Sequence, residues 1–448
     1  MTMNVKESVV ARPATYHRWW VAVLFFLIYT IAASDRANLG VVLPFIRKEF
    51  VMTNAEAGGL VSLFLLAYAL IQLPSAWLIS RFGVRKVFTI SMLATSIVTG
   101  LTGLANSIFH LKMCRVLLGV AEGPLPIGIT STINNWFPSK EKGIASGIFL
   151  SSIKLGPVIT PIVGAIIISI WGWKEVFFFF ALPGVILPLL WYIFVTDRPS
   201  SSRFTNQQEV DLINEKVNDI QEGNNAEPGY KKIPYLDKFI RVRQINTLET
   251  TKSVYRSWNV WGCSLGYCFQ LGISSLLLAW MPTYLLTEKH LSVMGMGFVA
   301  AAPWVGAVLG NIMGGIISDK LLSKRRKPGM MISALSTSVM MLLLIYAPAN
   351  PILYAALLFL TGLLLSIGFS AYMVYPMSFI AKEKFPTANA LVNMGGQLGA
   401  AATPFIGGII LDHLGWNTVF VFMACISILT FLMLLSIDEP IKMNQESA

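Results

Sequence analysis

The stretch WWVAVLFFLIYTIAASDRANLGVVL, from Trp19 to Leu43, decides how this chain folds. A helix needs about 20 mostly apolar residues to cross the hydrocarbon core of a bilayer, and this stretch is long enough. It nevertheless carries two charged residues side by side, Asp35 and Arg36. Charges inside a membrane helix are costly and by default mark a functional site. The stretch therefore predicts a membrane-spanning helix with a charged site buried in it.

The composition agrees with a membrane protein. Of 448 residues, 55% are hydrophobic and only 13% are charged, whereas soluble domains carry about a quarter charged residues. The formal net charge of +11 fits the excess of Lys and Arg in the loops that orient membrane proteins, so no nucleic-acid partner is expected. The four cysteines lack the spacing typical of a metal site, so no metal is expected.

Runs of about twenty apolar residues predict an all-α polytopic protein with twelve spans. They lie near residues 19–43, 57–80, 87–105, 108–132, 143–169, 176–195, 258–284, 292–320, 330–348, 352–379, 387–411 and 416–437. With both termini on the cytoplasmic side, the inner segments hold 26 Lys and Arg residues and the outer segments hold five. This asymmetry favours that topology over its inverse. The first stretch lacks a convincing signal-peptide cleavage site, which indicates an uncleaved first helix.

An internal repeat divides the chain into two copies. Eight residues recur 243 positions later: Gly156, Thr160, Pro161, Gly164, Gly172, Trp173, Val176 and Phe177 return as Gly399, Thr403, Pro404, Gly407, Gly415, Trp416, Val419 and Phe420. The repeat predicts two six-helix bundles, with substrate bound near the midplane between them. The predicted parts are a cytoplasmic N-terminus at 1–18, a first bundle at 19–195, a cytoplasmic linker at 196–257, a second bundle at 258–437 and a cytoplasmic tail at 438–448.

The linker is predicted to contain a surface helix. Thr205 with Gln208 reads as a capping box. The apolar residues that follow at helical spacing are Val210, Ile213, Val217 and Ile220.

Three motifs give this architecture a family resemblance. They are Asp35-Arg36-Ala37-Asn38-Leu39, Arg115-x3-Gly119-x2-Glu122-Gly123-x2-Pro126 and Trp136-Phe137-Pro138. Together they resemble the anion:cation symporter branch of the major facilitator superfamily, which includes bacterial galactonate, glucarate and hexuronate permeases. The resemblance implies the major facilitator fold, with 12 transmembrane helices in two six-helix bundles.

The resemblance also implies a function. Such proteins are multi-pass proteins of the inner (cytoplasmic) membrane, in contact with lipid, that import a small organic anion with protons by alternating access. It implies no enzyme activity and no cofactor, the proton being the coupling ion. The loop after the second span departs from the superfamily pattern, because Ser80 stands where an acid is usual. That departure predicts a weaker latch between the two halves.

The charges of the fourth span can be placed on one helix face. Arg115 and Glu122 are seven residues apart, so they return to the same face about 10 Å apart along the axis. Gly119 lies between them, where a small residue lets another helix approach closely, and the first span is the expected partner. Asp35 would then pair with Arg115. Arg36 would pair with Glu122.

This crossed pairing predicts how protons and an anion could be coupled. Protonation of Glu122 would free Arg36, whose forked donors suit a carboxylate. Asp35 and Glu122 are therefore the candidate proton-coupling residues. Arg36 is the candidate anion anchor, and Arg115 is the charge partner of Asp35. The alternative is a buried charge network that only registers the helices.

Lys154, in the fifth span, departs from the sugar-acid permeases that the chain resembles, in which a neutral amide is common there. Its repeat counterpart, Gln397, is an amide, and both residues are candidates for substrate binding. Two acids and three bases leave the empty site with one net positive charge. This suggests a substrate more anionic than a simple hexonate, such as a dicarboxylate, a sulfonate or an aromatic acid with a second acidic group. The alternative is that Lys154 only balances Glu122 or Asp35.

The second half adds further candidate substrate-binding residues. Ser370 and Asn393 match positions that hydrogen-bond the substrate in sugar-acid permeases. Tyr372 lies beside the wall where those relatives often carry Trp. In the first half, Tyr68 is a candidate that could equally be a buried structural residue.

Several functions other than anion import fit the sequence less well. Organic-phosphate antiporters place a second essential base in the seventh span, and residues 258–284 contain no Lys or Arg. A net positive site disfavours a multidrug exporter, and no constellation typical of an enzyme is present. An organic-anion exchanger and a non-transporting membrane sensor of the same fold remain open. The protein is expected to act as a monomer.

Overall fold

The computed structural model describes residues 15–138, 140–214, 240–322, 325–348, 350–381 and 384–441. The first half contains α1 (His17–Phe50), α2 (Asn54–Phe82), α3 (Val84–Gly103), α4 (Ile108–Glu122), α5 (Pro124–Trp136), α6 (Lys142–Ile170) and α7 (Trp173–Phe194). The linker contains α8 (Gln207–Asn214) and α9 (Thr251–Arg256). The second half contains α10 (Trp258–Thr287), α11 (Val293–Ile316), α12 (Lys327–Ile345), α13 (Pro351–Ile367), α14 (Ala371–Val374), α15 (Phe385–His413) and α16 (Trp416–Ser436).

Within the described ranges, twelve helical spans are long and apolar enough to cross a membrane, which confirms the predicted all-helical architecture. Two spans are not single continuous helices. The fourth consists of α4 and α5, and the tenth consists of α13, α14 and a 3₁₀ turn at Tyr375–Ser378. Outside the spans, β1 (Val242–Gln244) pairs in parallel with β2 (Glu439–Ile441).

The first span is longer than the apolar run that predicts it. α1 continues through Pro44 to Phe50, whereas the run ends near residue 43. Arg47 and Lys48 lie in its last turn, where cations interact favourably with the negative end of the helix dipole. Hydropathy marks the part of a helix that suits hydrocarbon, so it could not show this polar extension.

Small residues decide which helices of the first half meet. A Cβ added to Gly156 of α6 would lie 2.6 Å from the backbone nitrogen of Ser34, so α6 packs directly on α1. A Cβ on Gly119 of α4 would collide with the carbonyl oxygen of Phe64 on α2. The prediction that Gly119 admits the first span is therefore wrong. It admits the second span, and α1 meets α6 instead.

The two halves are joined on the side away from the linker. One large apolar core there combines residues of both halves, such as Val42 of α1 and Leu277 of α10. Towards the linker, the apolar residues form two separate cores, one built around α1 and the other around α10. The central residues therefore lie between halves that are closed away from the linker and separate towards it.

The start of the linker is docked on the first half. Both carboxylate oxygens of the buried Glu209 on α8 accept hydrogen bonds from the first backbone N–H groups of α1, at His17 (3.2 Å) and Arg18 (3.1 Å). A helix is thus present where the sequence predicts one, but Asn206, and not Thr205, caps it through the backbone N–H of Glu209 (2.9 Å). Val217 and Ile220 lie outside the described residues.

Candidate functional site

A buried ion pair joins the first and fourth spans. Nε of Arg36 donates a hydrogen bond of 2.7 Å to Oε2 of Glu122. Glu122 is the last residue of α4 and is fully buried, whereas the Arg36 side chain is 20% exposed. Oε1 of Glu122 has no hydrogen-bond partner in the described part of the chain. The sequence predicted this contact. In it the carboxylate is buried, whereas the guanidinium side chain remains partly exposed.

Aromatic rings surround the guanidinium of Arg36. Its carbon lies 4.5 Å from the ring centre of Tyr68, 5.6 Å from that of Tyr29 and 5.8 Å from that of Phe64. Nη2 also donates to the Tyr29 hydroxyl at 3.3 Å. Cations are attracted to the faces of such rings. Tyr68 is therefore placed against the candidate anion anchor.

The second predicted ion pair is not formed. Oδ1 of Asp35 accepts a hydrogen bond from Nδ2 of Asn38 (3.3 Å), and its other oxygen has no partner within the described ranges. Arg115 is the predicted partner of this carboxylate. However, no acidic oxygen of the described residues lies within 4 Å of the Arg115 nitrogens. The reason is the packing of α4 on α2 through Gly119, which keeps Arg115 off α1.

Lys154 reaches from the first half to the second. Its ammonium nitrogen lies 4.4 Å from the ring centre of Phe369. No described acidic group lies within 4 Å of this nitrogen. Lys154 therefore forms no ion pair with Glu122 or Asp35, which the alternative interpretation would require. The side chain is only partly exposed.

The other second-half candidates divide into accessible and buried residues. Ser370 is exposed, in the turn where the tenth span breaks between α13 and α14. Asn393 and Gln397 are half-buried and one turn apart on α15, so they share a face. Nδ2 of Asn393 donates to the carbonyl of Asn389 at 3.0 Å. Tyr372, in contrast, is fully buried in the core of the second half.

Sequence reasoning missed several residues of this site. Tyr29 lies seven residues before Arg36, so helical periodicity alone could have placed the two on one face. Phe64 lies one turn before Tyr68 and could have been found in the same way. Phe369 carries no such signal, because its contact with Lys154 depends on how the two halves are set against each other.

The site has no metal-binding character in the described ranges. No group of three or more His, Cys, Asp or Glu residues there could hold a metal ion. The arrangement offers instead one paired cation, Arg36, and two cations without an acidic oxygen of a described residue within 4 Å, Arg115 and Lys154. The other half adds neutral hydrogen-bonding groups. Such a site can bind a small anion.

Comparisons with known proteins identify the family. The sequence profile described as Major Facilitator Superfamily matches residues 25–329 and 263–448. A probable galactarate/D-glucarate transporter of Escherichia coli K12 is 27% identical over 96% of this chain and 96% of that protein. A probable sulfoacetate transporter of Cupriavidus necator is 26% identical, covering 87% of this chain and 86% of that protein. A hexuronate transporter of Bacillus subtilis is 26% identical, covering 88% of each chain.

Solved structures agree with these sequence relatives on the fold. A bacterial homolog of the human lysosomal transporter Spinster, in an inward-facing and unoccupied conformation, matches with a TM-score of 0.74 and 17% identity, covering 94% of this chain and 97% of that one. A D-xylose-proton symporter matches with a TM-score of 0.71 and 14% identity, covering 94% and 98%.

The predicted resemblance, the predicted fold and the prediction that the chain is not an enzyme are confirmed by these matches. The chain is a multi-pass membrane protein and belongs to the Major Facilitator Superfamily of membrane transporters.

Proposed function

We propose that this protein imports a small organic anion together with protons across the inner membrane, with its linker and both termini on the cytoplasmic side. The observation that carries the proposal is the buried hydrogen bond of 2.7 Å between Arg36 and Glu122. It joins Glu122, which can accept a proton, to Arg36, which is the cation best placed to bind an anion.

Protonation of Glu122 changes the charge balance around Arg36. A neutral carboxyl group no longer compensates the guanidinium, and a buried charge without a partner is unfavourable. A carboxylate or sulfonate on the substrate can take the place of the Glu122 carboxylate, because the forked guanidinium can donate two parallel hydrogen bonds to it. The anion is therefore bound well only when the proton is bound.

Asp35 is proposed as a second proton-coupling residue, with Arg115 as its electrostatic partner. Its carboxylate is fully buried and accepts a hydrogen bond of 3.3 Å from Nδ2 of Asn38. Ser370, Asn393 and Gln397 supply neutral contacts to the anion from the second half. Rocking of the two halves about this central site then exposes it to each side in turn.

The sequence relatives support the choice of an organic anion. Their names specify galactarate and D-glucarate, sulfoacetate, or hexuronates as the transported compounds. All of these are small molecules with at least one acidic group. A site with Arg36 and Lys154 as its accessible cations suits the same class of compound.

Purified protein in proteoliposomes tests the proposal. We expect labelled D-glucarate, D-galactonate, a hexuronate or sulfoacetate to accumulate inside when an inward proton gradient is imposed. Glu122→Gln, which imitates the protonated carboxyl group, should abolish gradient-driven accumulation but retain exchange of internal for external anion. Lys174→Gln is the matched control, because Lys174 pairs with Glu49 away from the site (3.1 Å).

The same experiment separates the alternatives. Uptake that requires internal anion and ignores the proton gradient would identify an exchanger. Binding of an anion without any uptake would identify a sensor. Gradient-driven accumulation by Glu122→Gln at the wild-type level would show that Glu122 does not couple the proton.

A further inference from the structure

We infer that Lys154 makes this protein select anions with two acidic groups over anions with one. The inference rests on the proposed function, because it concerns the substrate of the same site. It assigns to Lys154 the second acidic group and to Arg36 the first.

The charge balance of the site supports this assignment. Glu122 pairs with Arg36 in the structure at 2.7 Å, and Asp35 and Arg115 add one negative and one positive charge that cancel in the count. Lys154 has no described acidic oxygen within 4 Å. Once a proton neutralises Glu122, two cations face the site without a carboxylate. A dianion compensates both, whereas a monoanion leaves one of them unpaired, which is costly in a partly buried site.

The position of Lys154 supports a ligand held between two cations. α1 and α6 both begin on the linker side and cross where Gly156 touches the backbone of Ser34. Lys154 lies two residues before that crossing on α6, and Arg36 two residues after it on α1. At 1.5 Å per residue their Cα atoms differ in height by about 6 Å. Acidic groups at the two ends of a short molecule would meet one cation each.

The present partner of Lys154 leaves the hydrogen-bond donors of its ammonium group unused. The ring of Phe369, 4.4 Å away, attracts the ammonium group but accepts no strong hydrogen bond from it. The ammonium carries three donors, and no hydrogen bond joins them to another described residue. The candidate residues that the second half brings to the site, Ser370, Asn393 and Gln397, are neutral. A second acidic group can therefore pair with Lys154 of the first half, whereas these second-half residues offer it no cation.

Binding to matched pairs of anions tests the inference. The pairs are D-glucarate with D-gluconate, succinate with butyrate, and sulfoacetate with acetate, and binding is measured by ligand-induced thermal stabilisation of the full-length protein. For the pair that binds most tightly, we expect the wild type to favour the dianion. Lys154→Gln should lose about tenfold or more in dianion affinity, with little change for the monoanion, because a charge-assisted contact is lost. Lys154→Arg should retain most of the preference, and Lys174→Gln all of it.

The result of this binding experiment does not depend on whether protons drive uptake. If Lys154→Gln weakens both members of a pair equally, its role is structural and the inference fails. It also fails if the wild type binds no dianion, or binds both members equally. Failure of gradient-driven uptake with an intact, Lys154-dependent dianion preference would overturn the proposed symport and leave this inference standing.

Discussion

The guanidinium of Arg36 is held by more than its ion pair. Rings of Tyr29, Phe64 and Tyr68 surround it, and these contacts do not depend on the protonation of Glu122. The guanidinium can therefore stay in place while its counterion changes from Glu122 to a substrate. Such preorganisation reduces the ordering cost of binding.

Tyr68 provides a test of this preorganisation. Tyr68→Leu removes the nearest ring, and a cation–π contact is worth about 0.5–2 kcal/mol, so we expect anion affinity to fall by roughly 2- to 30-fold. Tyr68→Phe keeps the ring and should bind nearly as the wild type does. Affinity is measured with whichever organic anion stabilises the wild type most. A loss with Tyr68→Phe as large as that with Tyr68→Leu would assign the role to the hydroxyl group instead.

Individual residues show where sequence reasoning succeeded and where it stopped. The contact of Arg36 with Glu122 was predictable, because few buried charges were available to pair. The contact of Asp35 with Arg115 was predicted and is absent, because the neighbour of Gly119 depends on the packing of four helices. A pattern along one helix indicates which face is small, but not which helix fills it.

At the level of helices, close crossings at glycine set the position of the site. Gly156 brings α6 against α1 beside Asp35 and Arg36, whereas Gly147 of the same helix has no atom within 4 Å of an added Cβ. Gly156→Ala should destabilise the protein by about 1–3 kcal/mol through overpacking. Gly147→Ala should be neutral or stabilise it by up to about 1 kcal/mol.

Thermal unfolding of the two variants in the same detergent gives the comparison. A Gly156→Ala variant as stable as Gly147→Ala would mean that α1 and α6 can separate at no cost. Both substitutions add one methyl group to α6. A difference in thermal stability between them therefore measures the effect of the close crossing with α1.

Distant carboxylates cap the N-termini of several spans. Asp197, beyond α7, accepts the backbone N–H of Arg85 at the start of α3 (2.8 Å). Asp412 of α15 accepts the backbone N–H groups of Asn54 and Ala55 at the start of α2, both at 2.8 Å. The first cap stays within one half. The second joins the two halves on the side away from the linker, so it stabilises the closure there.

Asp412→Asn should therefore shift the conformational balance. Asparagine keeps one acceptor oxygen but loses the negative charge at the helix N-terminus, which costs about 0.3–1 kcal/mol and should raise the population open on the side away from the linker by roughly 2- to 5-fold. Spin labels at Val51 and Ile352, both exposed on that side and in different halves, report the opening as a longer distance. Asp197→Asn is the control and should lower stability without changing this distance. An unchanged distance distribution in Asp412→Asn would show that the contact does not hold the halves together.

Across the whole molecule, the arrangement of the apolar cores explains how two similar halves can move against each other. Among the described residues, the core shared by both halves lies on the side away from the linker, and each half keeps a core of its own towards the linker. Each half can thus stay packed while the shared contacts break and re-form. The repeat in the sequence predicted two bundles, but not which side would be closed, because it relates the two bundles to each other and does not say which of their ends meet.

Accessibility of the tenth span tests this arrangement and the orientation in the membrane together. In a variant whose native cysteines are replaced, Ser370→Cys should react with a membrane-impermeant thiol reagent in inside-out vesicles and be protected in intact cells. Ile352→Cys, at the other end of the same span and 82% exposed, should show the reverse pattern. Ser370 is exposed in the turn between α13 and α14, and reaching it requires the separation of the halves towards the linker. Labelling of Ser370→Cys only in intact cells would contradict this arrangement. Either the linker would then lie outside the cell, or the site would open on the side away from the linker. The labelling of Ile352→Cys would distinguish these two explanations.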